Sequence, residues 1–261
     1  MSSAAVHWEV RHRVGHIVLN RPERANVIDA PFAHALAAAV HEARHADIGA
    51  VLIRAHGRQF SVGGDIAAFA QHRQDLTPLV AQSLELLHPT LLQLASLPLP
   101  VISAIQGPVG GGGIGLGLCA DLVLASTAMH LRGGYSAIGL SPDLGVSYFL
   151  TRRAGAAKAK HILMCNQTVS AQECLRLGLV NELHEPEQLQ EAALALAENL
   201  ASGPTNALAG IKQLCDRAAN QDLASQLDAE RAAMLDCTRS GNSAEGVAAF
   251  LEKRAPRFQP C

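Results

Sequence analysis

Pro100-Val101-Ile102-Ser103-Ala104-Ile105 runs directly into Gln106-Gly107-Pro108-Val109-Gly110-Gly111-Gly112-Gly113-Ile114-Gly115-Leu116-Gly117. The apolar run Val101–Ile105 is too short for a helix and is rich in β-branched residues, so it reads as a buried strand. Pro98 and Pro100 in front of it stop whatever helix precedes. The glycines then open a short helix ending near Cys119. Glycine at a helix start lets backbone N–H groups come close to a ligand, because no Cβ stands in the way. A strand feeding such a turn is the mark of an α/β protein with a site built from main chain.

The flanks repeat the alternation. Upstream, Val14–Asn20 reads as a strand closed by the turn Asn20-Arg21-Pro22, and Ile48–Ala55 as a buried strand. Pro31–His45 is an amphipathic helix with Phe32, Leu36, Val40 and Ala43 on one face, and Thr77–Leu97 is a long helix. Downstream, Leu122–Ser126 is a further strand. Strand and helix thus alternate, with helices expected to cover sheet faces. From about Ala154 the pattern becomes almost wholly helical. Glu187–Ala201, Thr205–Ala219, Asp222–Asp236 and Ser243–Arg254 carry helical periodicity, and Gly203-Pro204 breaks two of them apart. The division expected is a core over residues 1–195 and a helical C-terminal region over 196–261. No internal repeat stands out.

Composition narrows the function. Among 261 residues, 49% are hydrophobic and 17% charged, which predicts a packed globule rather than a disordered chain. A net charge of -2 leaves no electrostatic footprint for nucleic acid or an anionic membrane, and 3% aromatics leaves few platforms for stacking bases. No apolar run reaches membrane-spanning length. The start MSSAAVHWEVRH lacks the order of a signal peptide. Six scattered cysteines with no CxxC pair suggest a reducing compartment, so a cytoplasmic protein without a disulfide framework is expected.

Several motifs compete. Gly113-Ile114-Gly115 resembles the start of a dinucleotide fingerprint, but the next strand ends in Ser126-Thr127 with no acidic residue, and there is no GxxxxGK[ST]. His41-Glu42-Ala43-Arg44-His45 matches HExxH, yet both histidines lie off the apolar stripe of their helix and no third ligand follows, so no metal site is expected. The pairs Ser61/His56 and Ser141/His130 lack a nucleophile-elbow context. The run Glu252–Arg257 (EKRAPR) reads as ordinary basic surface.

One combination is specific. Val18-Leu19-Asn20-Arg21-Pro22-Glu23-Arg24-Ala25-Asn26, then Phe60-Ser61-Val62-Gly63-Gly64-Asp65-Ile66, then the strand and glycine run, then Cys119-Ala120-Asp121 resemble the crotonase superfamily, the enoyl-CoA hydratases and isomerases. Ile138-Gly139-Leu140-Ser141-Pro142-Asp143 and Glu245-Gly246 to Lys253-Arg254 continue the match in order, over nearly the whole chain.

The resemblance implies a spiral of ββα turns and a helical C-terminal region that builds trimers or dimers of trimers. It implies an acyl-CoA thioester substrate, with no metal and no cofactor beyond the CoA moiety. The thioester oxygen would take two backbone N–H donors, by motif position those of Gly64 and Gly112. CoA would run along Arg24, Ala25, Val62, Asp65 and Ile66, with Lys253 near a phosphate. Ala67–Gln82 would wall the acyl pocket.

The departures carry equal information. By register with the family, the two glutamates that manage water in the hydratases fall on Gly115 and Tyr135, and both are missing. Asp143 remains, at an expected helix start. It is either a helix cap or the single carboxylate of an isomerase. The family's aroyl-CoA dehalogenases offer a further reading, with Asp143 as nucleophile and His88 as base. An enoyl-CoA hydratase with displaced acid/base groups and a non-catalytic acyl-CoA-binding protein are the remaining alternatives. Tyr135 is expected in the pocket wall, either packed or bonded to substrate.

Overall fold

The computed structural model describes residues 4–71 and 74–259. Residues 72 and 73, within the expected acyl-pocket wall, and Cys261 lie outside the described residues. The first two strands, β1 (Val6–Arg11) and β2 (Val14–Leu19), form an antiparallel hairpin. Its two-residue turn places His12 and Arg13 at φ 49° and 62°, the paired left-handed geometry that matches the twist of a tight hairpin. Helix α1 (Ala30–His45) follows, capped by Asp29, whose carboxylate accepts from Phe32 N at 3.0 Å. It buries Phe32, Leu36, Val40 and Ala43, the expected stripe.

Three successive turns of chain then build the body. Each adds a parallel strand to a large sheet, a short strand or bridge to a small one, and a helix. In the first, β3 (Ala50–Ala55) leads to Ser61, bridged to Val109, and then to α2 (Ile66–Gln71) and α3 (Leu76–Ala95). In the second, β4 (Val101–Ile105) leads to β5 (Val109–Gly110) and α4 (Gly112–Leu118). In the third, β6 (Leu122–Ser126) leads to β7 (His130–Arg132) and α5 (Val146–Ala154). This is the ββα spiral. The chain continues through α6 (Ala156–Met164), β8 (Thr168–Ser170), α7 (Ala171–Arg176), β9 (Glu182–His184) and α8 (Leu189–Ala201). The large sheet has the order β1-β2-β3-β4-β6-β9 and the small one β5-β7-β8.

The strand sequences explain the layers. Side chains alternate across a strand, and here both faces are buried. Ile17, Leu19, Val51, Ile53, Val101, Ile105 and Val123 join the main core with α1, α3 and α4. Val14, Ala50, Leu52, Ile102, Ala104 and Leu124 face the other way, against Leu189, Ala193, Ala197 and Ala201 of α8. A sheet covered on both sides reads as continuous apolar runs, which is why β2, β3, β4 and β6 are visible in the sequence.

Two expectations need correction. The chain beyond Ala154 is not wholly helical, because β8 and β9 extend the two sheets there. Nor does a helix start at Leu144: α5 begins at Val146. Leu144 and Gly145 have φ 44° and 70° and form a left-handed turn ahead of it.

Beyond Gly203-Pro204 lie α9 (Thr205–Ala218), α10 (Leu223–Thr238) and α11 (Gly241–Glu252). No side chain of α9 or α10 is fully buried. Lys212 of α9 ties this arm to the body. Its Nζ lies 2.9 Å from Asp121 and donates to the Leu99 carbonyl at 3.2 Å. No helix among the described residues is long and apolar enough to cross a membrane.

Candidate active site

Two glycine turns meet at the centre of the site. Gly63 (φ 85°) and Gly111 (φ 48°) both occupy the left-handed region that favours glycine. A Cβ on Gly63 would stand 2.9 Å from the Gly110 carbonyl oxygen and 3.0 Å from Gly112 N, so the turns touch backbone to backbone. Hydrogen bonds hold them: Gly110 N to Ser61 O at 2.9 Å, Gly111 N to Gly133 O at 3.2 Å, and Ile28 N to Gly63 O at 2.8 Å. Ser61 is fully buried; its hydroxyl donates to Asn26 O at 2.8 Å and accepts from Gly63 N at 3.2 Å.

Against this bonded frame, the N–H groups of Gly64 and Gly112 donate to no protein acceptor among the described residues. Gly112 is the first residue of α4, where the helix supplies no acceptor. Both glycines line one cavity of about 660 Å³, with Val80, Leu84 and His88 of α3 on one wall and Tyr135 and Asp143 on another.

Asp143 is not a helix cap. Helix α5 has no side-chain cap, and only the Asp143 carbonyl reaches it, accepting from Val146 N at 3.0 Å. The carboxylate turns into the cavity instead. Tyr135 donates its hydroxyl to Asp143 Oδ1 at 2.5 Å. The same oxygen would stand 3.3 Å from a Cβ on Gly112, so the carboxylate sits beside that glycine. Tyr135 is 8% exposed, and burial, reinforced by the Asp143 charge, pushes its phenol well above the usual range.

Gly115 is closed to any side chain. A Cβ there would fall on the Leu144 carbonyl oxygen, because the 143–145 turn packs directly against α4. The missing carboxylate at this position is therefore a packing contact rather than an empty place.

Arg24, Ala25, Val62, Asp65 and Ile66 lie on neighbouring segments, and Lys253 does not. Arg24 bonds Asp65 at 2.6 Å and Asp29 at 3.1 Å, and Val62 N donates to the Ala25 carbonyl at 3.2 Å. Ala25 is left-handed at φ 54°, and Ile66, which opens α2, is exposed. Lys253 stands apart. It is the left-handed C-cap of α11 and shares no hydrogen bond or ion pair with this cluster among the described residues.

Asn26 holds the cluster together. Its amide donates to His56 O and Gln59 O and accepts from Arg21 N, from a position 1% exposed. Sequence reading quoted Asn26 only as part of a motif.

His88 borders the cavity from an exposed position, and it also borders a second and larger one of about 950 Å³. That second space is lined by Leu91, Leu92, Phe149 and Ile211 and holds the Asp121–Lys212 pair. It contains neither glycine turn, so size does not mark the site here. His41 and His45 meet edge to face with ring centroids 4.7 Å apart, and no third His, Cys, Asp or Glu joins them in a metal-ligating group among the described residues. Ser61 is committed to Asn26, and His56 to Asn20 at 2.9 Å.

The ββα spiral and both glycine turns lie within residues 9–260, which match the enoyl-CoA hydratase/isomerase family over that whole span. The chain belongs to the enoyl-CoA hydratase/isomerase family. It is 33% identical over 258 residues to a probable enoyl-CoA hydratase of Rhodobacter capsulatus, covering 99% of each chain. It is 34% identical to the 1,2-epoxyphenylacetyl-CoA isomerase of Escherichia coli, covering 93% of each. The crystal structure of an enoyl-CoA hydratase from Polaromonas sp. JS666 superposes with a TM-score of 0.92 at 33% identity, covering 97% of this chain and 99% of that one. The fold is therefore crotonase-like, and the chain is an acyl-CoA enzyme of this family.

Proposed function

We propose that this enzyme moves a carbon–carbon double bond in an enoyl-CoA thioester. One observation carries the reading: a single carboxylate, Asp143, lines the cavity beside Gly112, while the Gly115 position is filled by the Leu144 carbonyl. Addition of water across a double bond needs an acid and a base placed together. Moving the bond needs only one group that takes a proton and returns it.

With a 3-enoyl-CoA, Asp143 removes a proton from the α carbon. The C–H electron pair passes into the thioester, and the oxygen gains enolate charge. Gly64 and Gly112 N–H groups donate to that oxygen, each worth about 3 kcal/mol in a preorganised site. Asp143 then delivers the proton to the γ carbon, giving the 2-enoyl-CoA. The thioester supplies the activation, so no metal or further cofactor takes part. Arg24, Ala25, Val62, Asp65 and Ile66 form the CoA face, and Lys253 lies on the arm that would reach a phosphate. The name of the E. coli relative, an isomerase acting on an epoxyphenylacetyl-CoA, supports acyl-CoA isomerisation as the class of chemistry.

Exposed apolar side chains on the arm, among them Ile211, Leu227, Phe250 and Leu251, support a homotrimer or a dimer of trimers. The unpaired cysteines among the described residues fit a cytoplasmic protein.

The test is incubation with 3-enoyl-CoA and 2-enoyl-CoA in heavy water. Deuterium should enter at both the α and γ carbons, and Asp143→Asn should slow this by about 10²–10⁴-fold while acyl-CoA binding survives. Rapid hydration of crotonyl-CoA with no exchange at the γ carbon would refute the proposal. His88 on the shared cavity favours a second reading, Asp143 as nucleophile in aroyl-CoA dehalogenation. Chloride release from a chlorobenzoyl-CoA would show it.

A further inference from the structure

We propose that Tyr135 is a positioning residue that fixes which oxygen of Asp143 moves the proton. The inference rests on the assignment of Asp143 as the proton-transferring group and deepens it. The phenol donates to Oδ1 at 2.5 Å, and the same oxygen lies against Gly112. Oδ1 is thereby spent on the protein. Oδ2 is left as the oxygen that faces substrate.

The surrounding structure makes the arrangement durable. Tyr135 opens a short 3-10 turn, Tyr135–Ile138, and the Leu140 N–H returns to its carbonyl at 3.0 Å. Gly134 N is held by the Asn166 side chain at 2.9 Å. Burial keeps the phenol protonated, so it remains a donor throughout the cycle. The other titratable or charged groups lining this cavity are His88 on α3 and His130 and Arg132 on β7, and none of them bonds Asp143 among the described residues.

The consequence is chemical. During abstraction the C–H bond breaks, the pair enters the enolate and the proton sits on Oδ2, while Oδ1 still accepts from Tyr135. During delivery the O–H bond on Oδ2 breaks and the γ C–H bond forms. One oxygen does both steps without carboxylate rotation, so part of the substrate hydrogen passes directly from one carbon to the other. The phenol also occupies the position that resembles the family's second glutamate. Its one proton is already donated, so it offers nothing with which to activate water.

Tyr135→Phe removes the hydroxyl and keeps the ring. The expected result is a kcat lower by about 10–100-fold with KM held. Direct hydrogen transfer in heavy water should fall as the freed carboxylate rotates. A crystal structure of Tyr135→Phe decides the matter independently of turnover: the carboxylate should leave Gly112 or take more than one orientation. A variant whose Asp143 keeps a single orientation beside Gly112 would overturn the proposal, as would one whose direct hydrogen transfer matches the wild type. If the wild-type enzyme fails to isomerise, the assignment of the reaction falls, and the crystallographic comparison still decides the role of Tyr135.

Discussion

Gly115→Ala is the sharpest test of the packing that defines this site. Ordinarily, alanine for glycine in a helix gains roughly 1 kcal/mol. Here the new Cβ would meet the Leu144 carbonyl oxygen, a main-chain atom with no rotamer to escape into. Overpacking of this kind costs about 1–3 kcal/mol, and a backbone obstacle places it at the upper end. The net expectation is a loss of about 2 kcal/mol, or roughly 4–8 °C in Tm for a chain of this size. The same collision pushes Leu144, and Asp143 is its neighbour in sequence. A displacement of about 1 Å at a reacting group costs on the order of 10²-fold in rate. Thermal unfolding and proton exchange at the α carbon measure the two effects. Gly117→Ala is the control, because its Cβ would meet the flexible end of Ile105 at 2.8 Å, and it should be tolerated better. Gly115→Ala with wild-type melting and activity would refute the packing argument. Gly115→Glu gaining hydratase activity would refute it more strongly still.

Asp29 is held below the usual carboxylate range, because the Arg21 hydrogen bonds, the Phe32 N–H and the Arg24 charge outweigh its burial. A depressed carboxylate stabilises the fold above its unfolded value, near pH 4, and that contribution disappears as pH falls through the folded value. Asp29→Asn should therefore lose about 1–3 kcal/mol at pH 7, with the difference shrinking toward pH 3 in urea titrations. Lys212→Met leaves Asp121 unpaired, where burial already pushes its carboxyl up against the pull of Lys212. A loss of about 3 kcal/mol is expected, read by the same titrations. Burial pushes the Cys119 and Cys174 thiols up to about 12, so iodoacetamide at pH 8 should label exposed Cys165 and Cys215 before either of them, as mapped by mass spectrometry.

What the sequence could reveal follows from the length of each signal. The strands β2, β3, β4 and β6 are five or six residues long and buried on both faces, so each reads as an apolar run. β5, β7, β8 and β9 have two or three residues, too few for any period to register. β1 is an edge strand with mixed burial, and its alternation is weak. The glycine turns were legible because glycine identity itself marks a backbone need. The Tyr135–Asp143 bond was not, since it joins two residues across a 3-10 turn and a left-handed turn that leave no pattern. In sequence Gly115 marks only a lost carboxylate; the contact with Leu144 shows that the turn carrying Asp143 takes its room.

The back-to-back contact of Gly63 with Gly110 and Gly112 also bears on how such an enzyme can change over generations. Every possible replacement of a glycine adds at least a Cβ, and at Gly63 that atom wedges the two turns apart, whereas at Gly64 it finds ordinary contact with Phe69. Gly63 is closed to drift. Tyr135 and Asp143 sit on a separate segment that meets the turns only through side chains and one carbonyl, so exchanges there leave the two N–H groups where they are. Heritable change in the reaction is thereby channelled into the 135–145 segment. A library randomised at those positions over a fixed glycine frame should yield new acyl-CoA chemistries more often than one randomised at the glycines.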